Sequence, residues 1–225
     1  MMPVLIFGAG GGVGLWLARL LREDRRPVFA MLRSPAAETE LAPLGVMTIR
    51  GDAMAPDDVS RAFALPAAPE FDVVSTIGGR APDGRWADSE GNANIIDRAA
   101  ASGTLGRFVL VTSIGCGDMA PFRSARAIAA FGDAVDAKTR AEEHLRRAIP
   151  DATILRPGGL RSEPATGRGI LVDDPQMHGF IHRADVADLV RCVLRDPATA
   201  GRTFAAVDRD QAQCANLIEP FPLAR

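Results

Sequence analysis

The chain has no tyrosine, and among its 225 residues it has only three histidines and three cysteines. Cys116, Cys192 and Cys214 are odd in number and far apart, so they are poor material for a disulfide framework or a zinc site and suit a reducing cytoplasm. The net charge of −2 gives no electrostatic reason to expect a nucleic acid or an anionic membrane as partner. No apolar run approaches the roughly 20 residues of a membrane span. We therefore expect a cytoplasmic protein that binds no metal, nucleic acid or membrane.

Short apolar runs alternate with helical patterns along the chain. The runs do not alternate apolar with polar residues, which is typical of strands buried on both faces. They are residues 3–7, 28–32, 46–49, 72–77, 107–113 and 152–157. The first helix is indicated by an apolar stripe of Val13, Trp16, Leu17, Leu20 and Leu21, and others by residues 56–65, 90–101, 136–148 and 184–194. This pattern predicts one α/β domain over residues 1–225, with a doubly wound parallel sheet and a small C-terminal substrate-binding part.

Two stretches, residues 114–134 and 158–180, fit neither pattern and are rich in glycine, proline and charge. Long loops in compact domains are uncommon and often functional. Each of these two follows a predicted strand, at the sheet edge where open α/β sheets bind ligands. We therefore expect a substrate pocket built from the loops 78–90, 114–134 and 158–182.

The run "GAGGGVG" directly follows the first strand and opens the first helix. Gly8, Gly11 and Gly14 stand three residues apart, and this context indicates a dinucleotide-binding loop of the Rossmann type. The backbone N–H groups of the middle glycines would approach a pyrophosphate, which the helix N-terminus favours electrostatically. The predicted phosphate-binding residues are Gly8, Gly10, Gly11, Gly12, Val13 and Gly14.

The end of the second strand bears on the choice of cofactor. An acidic residue there is typical of NAD binding and an arginine of NADP binding, and this chain has Arg33 and Ser34 with no acid. We therefore expect NADP(H) to be preferred over NAD(H), unless Arg33 is simply a solvated surface residue. Gly51 and Asp52 follow the third strand, where a short side chain would contact the adenine.

These motifs, with "MLRS", "VVSTIGG", "RFVLVTSIG", "KTRAEEHLR", "TILRPGGL" and "HRADVADLV", resemble the atypical, extended-type short-chain dehydrogenase/reductase superfamily. The nearest similarity is to its NAD(P)H-binding branch of NmrA-like and flavin reductase/biliverdin reductase B-like proteins. The resemblance implies that Ser113 lies beneath the nicotinamide and that Lys138 binds the ribose hydroxyls. It further implies cofactor contacts from Thr76, Ile77, Gly78, Gly79, Pro157 and Gly158.

The resemblance fails at the catalytic tyrosine, because the position four residues before Lys138 is Ala134. One solution is an acceptor that needs little help with protons, such as a flavin, quinone or enone. The other is a different acid, and the candidates are Ser113, Cys116, Asp118, His178 and His182. Lys138 has a structural alternative, an ion pair with Glu142 one turn later. The predicted catalytic set is Ser113, Cys116, Lys138 and His182.

Three functions fit these residues. The first is an NADPH-dependent reductase of a small conjugated or activated acceptor, working without tyrosine. The second is a regulator of the NmrA-like kind that binds NAD(P) and a protein partner without turnover, and the third is a non-redox isomerase or lyase. In each case we expect a small-molecule ligand and a monomer or homodimer.

Overall fold

The computed structural model describes residues 1–224, and its centre is an eight-stranded, mostly parallel sheet. The strands are β1 (Val4–Phe7), β2 (Val28–Leu32), β3 (Met47–Arg50), β4 (Phe71–Ser75), β5 (Leu105–Val111), β6 (Thr153–Pro157), β7 (Gly159–Arg161), β8 (Gly169–Val172), β9 (Phe180–His182) and β10 (Thr203–Asp208). The strand order in the large sheet is β3-β2-β1-β4-β5-β6-β10-β8, and only β8 runs antiparallel to its neighbour. A separate two-stranded parallel ribbon pairs β7 with β9.

Six α-helices cover the two faces of the sheet. They are α1 (Gly12–Glu23), α2 (Ala36–Leu41), α3 (Pro56–Phe63), α4 (Asn92–Ala100), α5 (Ala125–Ala148) and α6 (Arg183–Val193). The apolar stripes of α1 and α6 pack on one face, and those of α3, α4 and α5 pack on the other. Because both faces are covered, β1, β2 and β4 are buried along their whole length, which confirms the prediction from their unbroken apolar runs. The predicted Rossmann-type α/β fold is therefore confirmed.

The strand order reverses at β1, which lies between β2 and β4. Chain connections leave this point in opposite directions, so the loops after β1 and β4 separate and open a crevice at the carboxyl edge of the sheet. The glycine-rich loop follows β1, and Thr76 follows β4. The topology thus brings two of the predicted cofactor-binding segments to one crevice.

The two stretches without a predicted structure are partly regular. In the first, Ser124 caps α5 by accepting a hydrogen bond from the Ala127 N–H at 3.1 Å, so this helix begins at Ala125 and not at residue 136. In the second, β7 and β8 form, and the antiparallel partner of β8 is β10, a strand that the sequence pattern did not indicate. The prediction of two long loops was therefore wrong in these segments. No helix within residues 1–224 is long and apolar enough to cross a membrane.

Candidate active site

The glycine-rich loop closes tightly on the end of β4. Gly8 has a φ of +97°, which favours glycine, and a Cβ there would overlap the Oγ1 of Thr76. A Cβ on Gly14 would overlap the carbonyl oxygen of Gly8. Thr76 also donates a hydrogen bond from Oγ1 to the Phe7 carbonyl at 3.3 Å. Gly8 and Gly14 thus allow the loop and α1 to pack directly against the sheet.

The middle of the loop is open. A Cβ on Gly11 would have no heavy atom within 4 Å, whereas one on Gly10 would lie 3.1 Å from the Cβ of Ala37. The first turn of α1, which begins at Gly12, contains no acidic residue, and Gly11 supplies no side-chain cap. The N–H groups at this helix terminus therefore face the cavity with a partial positive charge. An open cradle with free donors fits the pyrophosphate of a dinucleotide.

Two exposed arginines stand at the ends of β2 and β3. Arg50 donates from Nη2 to the Arg33 carbonyl at 3.4 Å, and within residues 1–224 neither guanidinium forms an ion pair. Ser34 accepts a hydrogen bond from the Ala36 N–H at 3.3 Å. This corner is thus positively charged, and a phosphate would find two unpaired guanidinium groups there.

Gly51 and Asp52 lie beside this corner, and both have structural partners. A Cβ on Gly51 would lie 2.8 Å from the Sδ of Met31. Asp52 donates its N–H to Asp58 at 2.8 Å and accepts the N–H of Met54 at 3.0 Å. The hydrogen bond from Asp52 is the main reason that the pKa of Asp58 is lowered. These contacts shape the turn that leads into α3.

A cavity of about 910 Å³ runs from the glycine-rich loop across the ends of β4, β5 and β6 to the ribbon. One end is formed by backbone and small residues, and the other is apolar and aromatic. The rim exposes the large side chains of Phe122, Phe131 and Phe180. The lining residues with the most bearing on chemistry are Gly11, Gly12, Val13, Thr76, Gly78, Ser113, Phe122, Arg123, Phe131, Lys138, Pro157, Gly158, Leu160, His178, Phe180 and Arg183.

Lys138, the only lysine of the chain, points into this cavity and is held by Asp88. The Asp88 side chain is only 2% exposed and also accepts the Gly79 N–H at 2.6 Å. The Nζ of Lys138 lies 2.9 Å from where a Cβ on Gly78 would stand, so glycine makes room for it. Asp88 is therefore a residue that sequence reasoning missed, because it stands 50 positions before the lysine and only the fold brings the two together.

The alternative pairing of Lys138 with Glu142 is wrong. Glu142 is fully buried and accepts two hydrogen bonds from Arg156, at 3.0 Å and 2.7 Å. Thr112, on the cavity wall, donates to the same carboxylate at 2.7 Å. Glu142 thus connects α5 to the end of β5 and to β6. Lys138, one turn earlier, faces the cavity and pairs with Asp88 instead.

Cys116 does not face the cavity. Its side chain is fully buried, and its thiol lies 3.6 Å from the Val135 carbonyl. Burial, followed by the nearby Glu142 carboxylate, raises the pKa of the thiol to about 12. The expectation that Cys116 supplies a reactive group to a substrate is therefore wrong, because at neutral pH this thiol is protonated and out of reach.

The other candidate acids divide clearly by position. Ser113 lines the cavity, where its hydroxyl donates to the Ile114 carbonyl at 2.9 Å. His178 also lines it, fixed by backbone hydrogen bonds to Gln213. His182 instead precedes α6 with its Nδ1 2.6 Å from the Pro164 carbonyl, and it is not among the described residues that line the cavity. The structure thus favours His178 over His182 as a candidate acid. Asp118 forms an ion pair with the buried Arg156.

The remaining predicted positions lie as follows. Pro157 ends β6 on the cavity wall, and Gly158 packs so closely on Gly179 that a Cβ would overlap its carbonyl oxygen. Ile77 packs into the core and not toward the cavity. Ala134 is half-buried on α5, one turn before Lys138, and its methyl group offers no proton.

The loop 78–90 departs from the expected pocket. Among the described residues it gives only Gly78 to the cavity, while Arg80, Arg85 and Trp86 line a separate surface groove beside α4 and α5. Within residues 1–224, no group of three His, Cys, Asp or Glu side chains is placed to hold a metal ion.

The crevice, the cradle at α1 and the inward lysine define a nicotinamide-nucleotide-binding protein with a Rossmann fold. The chain belongs to the NAD(P)H-binding family, whose model matches residues 8–197. Together with the solved relatives described next, this membership confirms the predicted class, an NAD(P)H-dependent oxidoreductase of the short-chain dehydrogenase/reductase type.

Solved and curated relatives cover almost the whole chain. The structure of ChuY from Escherichia coli O157:H7, an anaerobillin reductase, is 40% identical, covers 93% of this chain and 98% of its own, and superposes with a TM-score of 0.84. YhfK of Bacillus subtilis, named an uncharacterized sugar epimerase, is 28% identical over 93% of this chain and 95% of its own length. A Veillonella parvula short-chain dehydrogenase/reductase in complex with NADP shares the fold, at 17% identity and a TM-score of 0.71 over 93% of this chain and 96% of that one.

Proposed function

We propose that this protein is an NADPH-dependent reductase of a large conjugated acceptor, first of the tetrapyrrole kind and otherwise a flavin, quinone or enone. The observation that supports this proposal is one continuous cavity, which joins the glycine-rich loop to an aromatic and cationic rim and contains Lys138 but no phenol. The 40% identity to ChuY, named an anaerobillin reductase, supports a tetrapyrrole as the first acceptor to test.

The cofactor half of the cavity supports NADPH. The backbone N–H groups of Gly12 and Val13 would receive the pyrophosphate, and Lys138 would hold the nicotinamide ribose. Arg33 and Arg50 would receive the 2′-phosphate that distinguishes NADPH from NADH. When bound, NADPH supplies a hydride to the acceptor.

The acceptor half supports a large planar molecule that carries carboxylates. Phe122, Phe131 and Phe180 expose aromatic surface at the rim, where an apolar ligand would bury it. Arg123 lies in the same wall, with its Nη1 2.7 Å from Asp136. No acidic side chain is among the described residues that line this cavity, and the Asp136 carboxylate contacts Arg123 at Nη1, which leaves Nη2 to a carboxylate of the acceptor.

The missing tyrosine is compatible with such an acceptor. A conjugated system spreads the negative charge that it gains, so it needs no strong acid at one atom. Lys138 stays near the reacting region with an ammonium group held by Asp88, and the cavity opens to solvent at its rim. We propose that the residues of this wall orient the two partners and that the proton comes from solvent or from Lys138.

An anaerobic screen tests this function directly. NADPH oxidation would be followed with a tetrapyrrole, a flavin, a quinone, an enone and a simple ketone. We expect turnover with the tetrapyrrole or another conjugated acceptor and none with the ketone. Gly11→Val, which fills the open cradle, should abolish both NADPH binding and turnover.

The screen also separates the rival functions. A protein that binds NADPH and NADP tightly but oxidises no NADPH with any acceptor would contradict the reductase function and indicate a sensor. The arginine in the wall gives a sharper test with a matched control. Arg123→Gln should raise the KM for a dicarboxylate acceptor but not for its diester, whereas the exposed Arg126→Gln should change neither.

A further inference from the structure

Arg183 lies beside the glycine-rich loop, and both line the same cavity. It is the first residue of α6, and a Cβ on Gly12 would lie 3.8 Å from both its Cδ and its Nε. Because α1 begins at Gly12 and α6 at Arg183, both helix N-termini border the same space. The only acid in the first turn of α6, Asp185, accepts hydrogen bonds from the N–H groups of Thr166 and Gly167, at 2.9 Å and 2.8 Å.

The charge of Arg183 lacks an acidic partner within residues 1–224. Its Nη1 donates to the Ser162 hydroxyl at 2.8 Å and to the Leu160 carbonyl at 3.4 Å, both neutral. The two other cationic residues of the cavity wall differ, because Arg123 pairs with Asp136 and Lys138 pairs with Asp88. A guanidinium held in place by neutral oxygens, in a cavity without acids, is suited to receive an anion.

We infer that Arg183 binds the cofactor pyrophosphate together with the glycine-rich loop that it adjoins. This inference rests on the proposed NADPH site. Arg33 and Arg50 stand at the ends of β2 and β3, where the 2′-phosphate would lie, so Arg183 and this arginine pair would serve different phosphates. A planar guanidinium forms two parallel hydrogen bonds to phosphate oxygens, which a lysine at this position would not.

The contacts of Arg183 also couple the two halves of the cavity. Leu160 belongs to β7 and Ser162 directly follows this strand, and Leu160 lines the acceptor half with Phe180 of β9. A phosphate on Arg183 would therefore hold the ribbon against the glycine-rich loop. Cofactor binding would in this way complete the wall that the acceptor meets.

Calorimetric titration of three ligands tests the assignment without turnover. NADPH and 2′-phospho-ADP-ribose both carry the pyrophosphate, whereas 2′-AMP carries only the adenosine 2′-phosphate. Arg183→Gln should weaken the first two by the same factor, about 10- to 100-fold for a charge-assisted hydrogen bond, and leave 2′-AMP unchanged. Arg183→Lys should fall between wild type and Arg183→Gln. Arg161→Gln, which removes a charge from the same ribbon, is the matched control and should change none of the three.

The outcomes are distinguishable from failure of the proposed function. Wild-type protein that binds neither NADPH nor 2′-phospho-ADP-ribose would contradict the function itself. Wild-type protein that binds both, with Arg183→Gln and Arg183→Lys equal to it, would overturn the inference alone. A higher KM for the acceptor in Arg183→Gln, with all three titrations unchanged, would assign Arg183 to the acceptor's carboxylate and would also overturn the inference. If Arg183→Gln does not fold, as judged by circular dichroism, the Arg183→Lys titration decides.

Discussion

Breaking the buried ion pair between Glu142 and Arg156 gives the most demanding test of how α5 is held on the sheet. The Glu142 side chain is fully buried and the Arg156 side chain almost fully, and Arg156 donates two hydrogen bonds to Glu142 at 3.0 Å and 2.7 Å. We consider Glu142→Leu, which fills a similar volume. The variant leaves the Arg156 guanidinium buried with Asp118 as its remaining ion-pair partner, and the Asp118 side chain is 70% exposed.

The magnitude follows from that buried charge, which the exposed Asp118 compensates only in part. Removing one partner of a buried pair costs about 3–5 kcal/mol, a large share of the roughly 5–15 kcal/mol by which a domain is stable. At about 2–4 °C per kcal/mol for a chain of this size, Glu142→Leu should lower Tm by about 6–20 °C. Replacing both partners, in Glu142→Leu/Arg156→Met, should recover much of the loss, because apolar residues can substitute for a buried pair at little cost.

Urea unfolding followed by circular dichroism measures these differences as a double-mutant cycle. Glu40→Gln is the control, since Glu40 pairs with Arg19 at the surface and its loss should cost no more than about 1 kcal/mol. A double variant as unstable as the sum of its single variants would refute the reasoning, because it would show that the two side chains do not act as a pair. If Glu142→Leu lowers the free energy of unfolding no more than Glu40→Gln does, the argument from burial is refuted.

Three further predictions address the site and the core. Arg33→Gln should weaken NADPH binding about 10-fold or more and leave NADH unchanged, as measured by fluorescence titration; equal wild-type affinities for the two cofactors would remove the basis for NADP preference. Burial raises the pKa of Cys116 from 9.0 to about 12, so the contribution of the protonated thiol to stability is complete below pH 9 and is lost as the pH rises toward 12. Cys116→Ala should therefore reduce the fall of the unfolding free energy with alkaline pH by up to about 1.4 kcal/mol per pH unit. An unchanged slope would contradict the burial of this thiol. With one lysine in the chain, protein labelled with ¹³Cε-lysine gives a single signal for Lys138; this signal should move on NADPH binding, and Asp88→Asn should move it without ligand and weaken NADPH binding, whereas a signal unaffected by saturating NADPH would place Lys138 away from the ribose.

The buried strands and the glycine-rich loop were predictable because their signals are local. A strand covered on both faces needs an unbroken apolar run, and β1, β2 and β4 show it directly in the sequence. The early start of α5 was not predictable in this way. Its first turns contain few buried residues and include Gly132, so they show no apolar stripe, and helix formation there depends on alanines and the Ser124 cap.

The partners of charged residues were the least predictable feature. Spacing alone pairs Lys138 with Glu142, one helical turn apart, but an α-helix surface has an inner and an outer face that only packing identifies. Glu142 turns to the core and meets Arg156, while Lys138 turns to the cavity and meets Asp88. The ion pairs that organise this site join residues 50 and 14 positions apart, and no periodic pattern encodes them.

The pairing of Lys138 with Asp88 also bears on why the chain can lack a tyrosine. On the proposed function, the lysine's first task is to hold the ribose, and that task needs a fixed ammonium group. Elsewhere in the superfamily, as the resemblance implies, a phenol stands one turn before it; here Ala134 leaves only a methyl group. A buried carboxylate, itself fixed by the Gly79 N–H, holds the lysine in position without a phenol. What the site gives up is strong acid catalysis at one atom, and a conjugated acceptor, which spreads charge over its whole framework, is the class of substrate that least requires it.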